Sequence, residues 1–484
     1  MTVAKIFGQG FAYDDVLIRP NISDVRSRHG SQIDTLTAIA RGLPAIKLPI
    51  LSANMDTVTE HRMAITMALY GGLGVIHRFM TPEDQATEVK LVKDLVRIIE
   101  DNPPVVHADT TIEDAANLQK QRNRGYVIVF AGKKFTGSFV GIATPRDFLT
   151  ANPRAPISSV MTPKQRVITI PKISSKNRAI EVMQINRIQK IPVVNEKGNI
   201  IGVYTLKDFS YQTQYPQASF DTKGRLMVGA AIGVQARDVE RAHMLIDAGV
   251  DVLVLDIAHG GLTYTKEMLH KLKHIEKIKT PIIAGNIATA EGARYIYESG
   301  ADGIKVGVGP GYVCETRNVA GVGIPQITAI MEVAGVMRKK KNPIPVIADG
   351  GIREFGDLPK AIVAGANCVM IGSLFAGTRE SPGEQMFEGG VLKKLVRGMA
   401  SASAFQKRHS IGGSTTNSDR YTPEGRAIAT PYKGSVVKLL NSFDGGLRSA
   451  MSYVGAHSIA EMQKKGKFII VTGAGATENK RDLT

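Results

Sequence analysis

Short runs of apolar, mostly β-branched residues alternate with helix-length segments along the second half of the chain. Two earlier runs, 47–52 and 74–77, show the same character. Strands separated by crossover helices pair in parallel, so the pattern predicts a parallel sheet. Eight such units favour an α/β (β/α)8 TIM barrel over an open doubly wound sheet. The six later runs are 227–232, 250–256, 281–285, 303–307, 344–349 and 367–372.

Nearly every run ends in a polar residue or a glycine. In a TIM barrel the carboxyl ends of the strands build the active site, so these residues are predicted to converge. Glycine turns at 350–351 and 372–373 follow the seventh and eighth strands, where backbone N–H groups commonly bind phosphate. The residues at the strand ends are Asp256, Asn286, Gly307, Asp349 and Gly372.

The chain has 484 residues and two cysteines, so no disulfide framework is expected and a reducing compartment is favoured. Cys368 lies in an apolar run and is predicted to be a buried core residue. Cys314 instead lies in a glycine-rich loop, Gly-Pro-Gly-Tyr-Val-Cys, with the hydroxyl of Thr316 two residues on. Such a loop is suited to holding a nucleophile near a ligand.

The overall composition, 43% apolar and 22% charged, is typical of a soluble globular protein. No membrane-length apolar stretch and no signal peptide is visible, so a cytoplasmic location without a membrane partner is expected. The net charge of +17 is spread along the chain and aromatic residues are few. This pattern argues against nucleic acid as the main partner and favours small anionic ligands such as nucleotides.

The segment from about 97 to 215 interrupts the barrel pattern and contains an internal repeat. Residues 139–148 recur as 200–209, 61 positions later. The repeat resembles a tandem pair of CBS modules (a Bateman domain), although a purely structural repeat is the alternative. The predicted domains are therefore a barrel, 1–96 with 216–484, and a CBS pair, with repeats of about 97–155 and 156–215. The resemblance implies that a regulatory purine nucleotide is bound by Thr144, Asp147, Thr205 and Asp208.

Six motifs in one order resemble the family shared by inosine monophosphate (IMP) dehydrogenase and guanosine monophosphate (GMP) reductase. The resemblance implies a cysteine that attacks C2 of a purine nucleotide and a hydride exchanged with a nicotinamide cofactor. It also implies a potassium ion and homotetramers, possibly octamers. The motifs are 14–20, 53–58, 285–289, 309–326, 348–351 and 445–449.

Site residues follow from this resemblance by position. Cys314 corresponds to the nucleophile, and Thr316 with Glu424 to the pair that handles the leaving amine. The potassium ligands would be the carbonyls of Gly309, Gly311 and Cys314. The remaining expectations are substrate contacts from Asn54, Asp349, Gly350, Gly351, Gly372, Ser373 and Met399, and cofactor contacts from Asp256, Asn286, Gly307 and Gly309.

The flap at 398–413 is similar to reductases, and Glu424 follows Arg420 by only four positions. This favours GMP reductase with NADPH. The alternative is IMP dehydrogenase with NAD, because the CBS insertion, residues 256–260 and the pair Arg420 and Tyr421 resemble dehydrogenases. In that case Arg420 and Tyr421 would activate water.

Several positions depart from the family pattern. Tyr312 stands where a phosphate-contacting serine is usual, Glu315 where threonine or isoleucine is usual, and Val396 where dehydrogenases have a tyrosine. Arg78 replaces a lysine that is frequent in reductases. These departures leave a hypothesis of another class, a weakly catalytic CBS-based sensor of purine nucleotides.

Overall fold

The computed structural model describes residues 8–28, 32–96, 103–122, 124–131, 138–171, 176–410 and 422–479. The chain divides into two compact units. One consists of Met1–Leu95 with Gln217–Thr484, and the other of Val96–Pro216. Among the described helices, none has both the length and the apolar character needed to cross a membrane.

The first unit is built on a closed barrel of eight parallel strands, each paired with the next and β8 paired with β1. The predicted (β/α)8 TIM barrel is therefore confirmed, with strand bounds shifted by a few residues. The strands are β1 Ile50–Ser52, β2 Leu73–Ile76, β3 Gly229–Ile232, β4 Val252–Asp256, β5 Ile282–Ile287, β6 Gly303–Val306, β7 Val346–Asp349 and β8 Cys368–Ile371.

Helices connect the barrel strands in the order that a parallel sheet requires. The helix Gln326–Met337 is buried along most of its length. The other helices of this unit are His61–Leu69, Pro82–Lys93, Arg237–Asp247, Thr263–His270 with a π-helical extension Lys271–Ile275, Ala290–Glu298, Thr316–Val319, Asp357–Ala364, Ala402–Ser410, Val436–Val454, Ile459–Lys465 and Gly473–Asn479.

The barrel interior is filled by alternate side chains of the strands, as the twofold period of a strand dictates. Leu51, Val75, Val254 and Ile347 belong to this core and are completely buried. Cys368 is also in the core, as predicted, and burial raises the pKa of its thiol above the usual range. This cysteine is therefore not available as a nucleophile.

A buried ammonium group fixes the point where the chain leaves the barrel unit. Lys93, at the end of the helix Pro82–Lys93, is 1% exposed and has all three N–H donors satisfied. Its Nζ lies 3.0 Å from Asp221 and 2.6 Å from Asp251, and it donates to the Leu226 carbonyl at 2.9 Å. Because Asp221 lies just after the return to the barrel, both ends of the inserted segment are held to the same cluster.

A three-stranded antiparallel sheet follows β8 and positions the flap. It consists of Gln385–Glu388, Val391–Arg397 and Ala427–Pro431, with Val391–Arg397 in the middle. The flap continues beyond residue 413, and the whole segment 398–426 connects the middle strand to the third strand. The flap therefore begins and ends on paired strands, and its last residues return towards the barrel. A separate antiparallel pair joins Val16–Ile18 to Phe468–Ile470.

The second unit contains two copies of one strand–helix–strand–strand–helix pattern. In each copy the first two strands pair in parallel and the last two antiparallel. The repeat in the sequence is thus a repeated fold unit, and its assignment as a CBS pair stays a prediction. The elements are Val105–His107, Ile112–Gln121, Val127–Ala131, Ser138–Ala143, Pro145–Phe148 and a short Thr162–Pro163 strand, then Ile170–Pro171, Lys176–Ile185, Lys190–Val194, Ile200–Thr205 and Leu206–Gln214.

Candidate active site

A cavity of about 270 Å³ opens at the carboxyl ends of the barrel strands. This is the end at which TIM barrels carry out their chemistry. The flap closes one side of it through Gly398, Met399 and Ala400, together with Glu424 and Gly425. The barrel residues that line it include Asn54, Arg78, Asp256, Asn286, Lys305, Gly307, Gly309, Gly311, Cys314, Thr316, Asp349 and Gly350.

The cysteine loop leaves β6 through two glycines with left-handed backbone conformations. Gly307 has φ 151° and Gly309 has φ 83°. A Cβ atom on Gly307 would lie 2.1 Å from the carbonyl oxygen of Asp349, so no other residue fits between β6 and β7 at this point. The loop then tightens where the Cys314 amide donates to the Gly311 carbonyl at 3.0 Å. The Cys314 side chain is left half-buried at the cavity wall.

Two hydrogen bonds connect the sulfur of Cys314 to a carboxylate. The thiol donates to Thr316 Oγ1 at 3.2 Å, and the Thr316 hydroxyl donates to Glu424 Oε2 at 2.8 Å. Thr316 and Glu424 are 108 positions apart in the sequence. The structure thus brings together the three predicted catalytic residues in a line along which a proton can move.

Backbone hydrogen bonds hold Glu424 in this place. The Glu315 amide donates to the Glu424 carbonyl at 2.7 Å, and the Arg426 amide donates to the Val313 carbonyl at 3.1 Å. Cys314 and Gly425 form a short antiparallel bridge between these two bonds. The end of the flap is therefore hydrogen-bonded along the cysteine loop as a short strand would be.

Lys305 is the centre of a charged network at the floor of the cavity, and sequence reasoning missed it. Its Nζ lies 2.5 Å from Asp256 Oδ1 and 2.6 Å from Asp349 Oδ2, and it also donates to the Asn286 side chain. Burial alone would lower the pKa of this ammonium, but the two carboxylates raise it above the usual range. The available signal was a single charged residue inside the apolar run of β6.

The two asparagines predicted at the site connect the same carboxylates. Asn54 donates to Asp256 Oδ2 at 2.8 Å, and Asn286 donates to Asp349 Oδ2 at 2.9 Å and to the Gly307 carbonyl at 2.8 Å. Burial opposes ionisation of Asp256, but the charge and hydrogen bond of Lys305, with the Asn54 amide, lower its pKa below the usual value. Asp256 is therefore a fixed negative charge beside the cavity.

Three predicted phosphate residues lie beside the cavity lining rather than in it. Gly351 faces the Tyr13 ring and Pro310, and Gly372 faces the sulfur of Met55. The Ser373 carbonyl accepts a hydrogen bond from Lys433 at 2.9 Å. The predicted water-activating residues Arg420 and Tyr421 lie outside the described residues.

The predicted nucleotide residues of the second unit are only partly described. Thr144 donates from its amide and its hydroxyl to the Asp147 carboxylate, at 2.6 and 2.9 Å, at the start of the helix Pro145–Phe148. These two residues therefore already form a local turn structure. Thr205 ends the strand Ile200–Thr205 in the equivalent place, and the Asp208 side chain lies outside the described residues.

Comparison with known proteins decides the family. Residues 10–481 match the family described as "IMP dehydrogenase / GMP reductase domain". The chain belongs to this family. Its members are oxidoreductases that act on purine nucleotides with nicotinamide cofactors, as the sequence motifs implied.

Similar proteins carry both names found in the family. The chain is 42% identical over 480 residues to inosine-5'-monophosphate dehydrogenase of Nitrosopumilus maritimus, covering 98% of each chain. It is 40% identical over 481 residues to GMP reductase of Leishmania donovani, covering 97% and 96%. A cysteine-to-alanine variant of Trypanosoma brucei GMP reductase, solved with guanosine 5'-monophosphate, has a TM-score of 0.89 and 38% identity, covering 99% and 98%.

Removal of Lys305 should destabilise the protein because of the charges that it leaves behind. We expect Lys305→Met to lower the free energy of unfolding by about 3–5 kcal/mol, because it leaves Asp256 and Asp349 buried without a counter-charge. Urea unfolding followed by circular dichroism measures the change. Adding Asp349→Asn to this variant should restore part of the loss, since one of the uncompensated charges disappears. A Lys305→Met variant as stable as the wild type would contradict this assignment of charges.

Proposed function

We propose that the protein is a GMP reductase, which converts GMP to IMP and ammonia with NADPH as the reductant. The observation that carries the proposal is the hydrogen-bonded line Cys314–Thr316–Glu424. Reductive deamination needs a nucleophile for C2 and an acid–base pair for the amine that leaves from the same carbon. All three groups lie on one wall of the cavity.

In the first step the Cys314 thiolate attacks C2 of the guanine ring. The thiolate arises as the thiol proton passes through Thr316 towards Glu424, and its sulfur then forms the C–S bond. The 2-amino group takes a proton by the same route and leaves as ammonia, so the C–N bond breaks while the purine stays bound to sulfur. Thr316 suits this role because its single hydroxyl both accepts from sulfur and donates to the carboxylate.

In the second step C2 is reduced and the C–S bond breaks with its electron pair on sulfur, which releases IMP and leaves the Cys314 thiolate to take a proton from solvent. The nicotinamide cofactor, when bound, supplies the hydride for this step. The residues proposed to lie beside the nicotinamide and the base are Asp256 and Asn286, which the Lys305 network holds in fixed orientations. Asp349 is proposed to bind the ribose hydroxyls, and Gly350 with the neighbouring Gly351, Gly372 and Ser373 the phosphate.

The second candidate function is IMP dehydrogenase, with NAD as the oxidant and xanthosine monophosphate as the product. It is favoured by the Arg420–Tyr421 pair in the sequence and by dehydrogenase relatives as similar as the reductases. We rank the reductase first because Glu424 hydrogen-bonds to Thr316, the pair that a leaving amine requires, and because the flap sequence at 398–413 is similar to reductases. An assay with each of the two substrate pairs, GMP with NADPH and IMP with NAD, decides between the two candidates.

The potassium ion and the assembly remain part of the proposal. Carbonyl oxygens of a glycine-rich loop are suitable ligands for a monovalent cation, and Gly309, Gly311 and Cys314 belong to such a loop. The Gly311 carbonyl accepts the Cys314 amide, which leaves it one further lone pair. A homotetramer, possibly pairing into an octamer, is expected from the family alone.

The second unit is proposed to be a CBS pair that binds a regulatory purine nucleotide through Thr144, Asp147, Thr205 and Asp208. Two observations support this. The unit is a repeated fold with a Thr-x-x-Asp turn at the same place in each copy. Trypanosoma brucei GMP reductase, 36% identical with a TM-score of 0.79, has been solved with guanosine 5'-triphosphate.

The paired substrate assay tests the function. With GMP and NADPH the wild-type protein should consume the absorbance of the reduced nicotinamide and release ammonia in equal amounts. Cys314→Ala should lose at least about 1,000-fold in turnover because no covalent step remains, whereas Glu424→Gln should chiefly slow ammonia release. Production of reduced nicotinamide from IMP and NAD, without the GMP reaction, would establish the dehydrogenase instead. Turnover by neither pair would favour the sensor hypothesis.

Nucleotide binding by the second unit can be tested on the full chain. We expect Asp147→Ala to weaken GTP or ATP binding about 10-fold or more, because a charged hydrogen-bonding partner is lost, while turnover without effector is kept. Isothermal titration calorimetry gives the affinity. Asp109→Ala is the matched control, since its side chain is 84% exposed on the same unit. Equal affinities of the wild type and the Asp147 variant would contradict the assignment.

A further inference from the structure

Arg426, two residues after Glu424, contacts the cysteine loop on both sides of Cys314. Its Nη2 donates to the Tyr312 carbonyl at 3.2 Å, and its guanidinium carbon lies 5.4 Å from the centre of the Tyr312 ring. Its Nε lies 3.4 Å from Glu315 Oε1. With the amide bond to Val313, this residue makes four separate contacts with residues 312, 313 and 315.

The acidic partner of Arg426 is itself held in place. The other carboxylate oxygen of Glu315 accepts from Asn318 at 2.7 Å, and the Glu315 amide donates to the Glu424 carbonyl at 2.7 Å. Glu315 therefore contacts the flap twice, once by its backbone and once by its side chain. Arg426 and Glu315 together fix the alignment of the flap end with the cysteine loop.

Apart from Glu424, Arg426 is the residue whose side chain is seen to contact the cysteine loop in the described flap end. Gly425 has no side chain, and Thr422 and Pro423, which precede Glu424, are exposed. Arg426 is thus the first side chain after Glu424 that reaches the cysteine loop. Loss of its side-chain contacts would leave the flap end held by backbone hydrogen bonds and by the Thr316–Glu424 bond itself.

The free energies of these contacts indicate that they align the flap end with the cysteine loop and contribute little to the stability of the fold. Arg426 is 51% exposed and Glu315 27% exposed at the side chain. Ion pairs and cation–π contacts at such exposure contribute about 1 kcal/mol or less to stability. By contrast, a displacement of Glu424 by 1 Å would break the hydrogen bond to Thr316 and slow the reaction strongly.

We propose that Arg426 is a positioning residue, which sets the reaction rate by keeping Glu424 within hydrogen-bonding reach of Thr316. The effect on turnover depends on the proposed reductive deamination. The alignment of the flap with Cys314 does not depend on which substrate is used.

The test compares Arg426→Gln, which removes the charge and the guanidinium fork, with Arg426→Lys, which keeps the charge. We expect Arg426→Gln to lower kcat for ammonia release about 10-fold while KM for GMP changes less than about 2-fold. Arg426→Lys should recover part of the rate. In the Glu424→Gln background the same change should cause no further loss, because the residue that it positions is already disabled. Arg294→Gln is the matched control, since Arg294 is 52% exposed in a remote ion pair with Glu291.

A second readout does not require turnover. Because Gly425 bridges Cys314, release of the flap should raise the rate of iodoacetamide alkylation of Cys314 several-fold in Arg426→Gln, and Cys368 is too buried to contribute. The proposal is overturned by an unchanged alkylation rate, or by a loss of kcat that is as large in the Glu424→Gln background as in the wild type. A wild-type protein that turns over only IMP with NAD would overturn the proposed function, and the alkylation rates would still decide the role of Arg426.

Discussion

The proposed chemistry depends on one alignment, the backbone pairing of the flap end with the cysteine loop. Hydrogen bonds from Glu315 to Glu424 and from Arg426 to Val313 enclose Cys314 on both sides. Neither segment is a long strand, so the pairing is local and rests on few bonds. Any shift along it would separate Glu424 from Thr316 and interrupt the path from sulfur to carboxylate. The barrel supplies a rigid base, and this short pairing holds Glu424, the proposed acid–base group, beside it.

At the floor of the cavity, the barrel holds its side chains in place by ion pairs rather than by backbone pairing. One buried ammonium, Lys305, lies between Asp256 and Asp349, which belong to β4 and β7 on either side of the barrel mouth. The charge of Lys305 offsets the desolvation of Asp256 and keeps the pKa of that carboxyl low, while the neighbouring carboxylates raise the pKa of Lys305. The flap end thus supplies a carboxylate beside Thr316 and Cys314, and the barrel floor supplies fixed charges at the cavity.

Much of the fold could be predicted from the sequence, because buried parallel strands are continuous apolar runs and all eight were visible. Lys305 was missed because it lies inside such a run, and only its three-dimensional partners explain a buried charge there. The contact between Thr316 and Glu424 came from family resemblance, since spacing cannot bring together residues 108 positions apart. The sequence did not indicate a role for Arg426, because arginine is common in polar turns and its contacts are visible only in the structure.

In the proposed mechanism Cys314 becomes bonded to the purine while Glu424 and Thr316 handle the amine. The most direct measurement is mass spectrometry of the protein quenched in acid during turnover with GMP and NADPH, followed by peptide mapping. We predict a purine-nucleotide adduct on the peptide that contains Cys314 and none on the peptide that contains Cys368. Rapid turnover with Cys314 unmodified at every quench time would contradict the covalent mechanism.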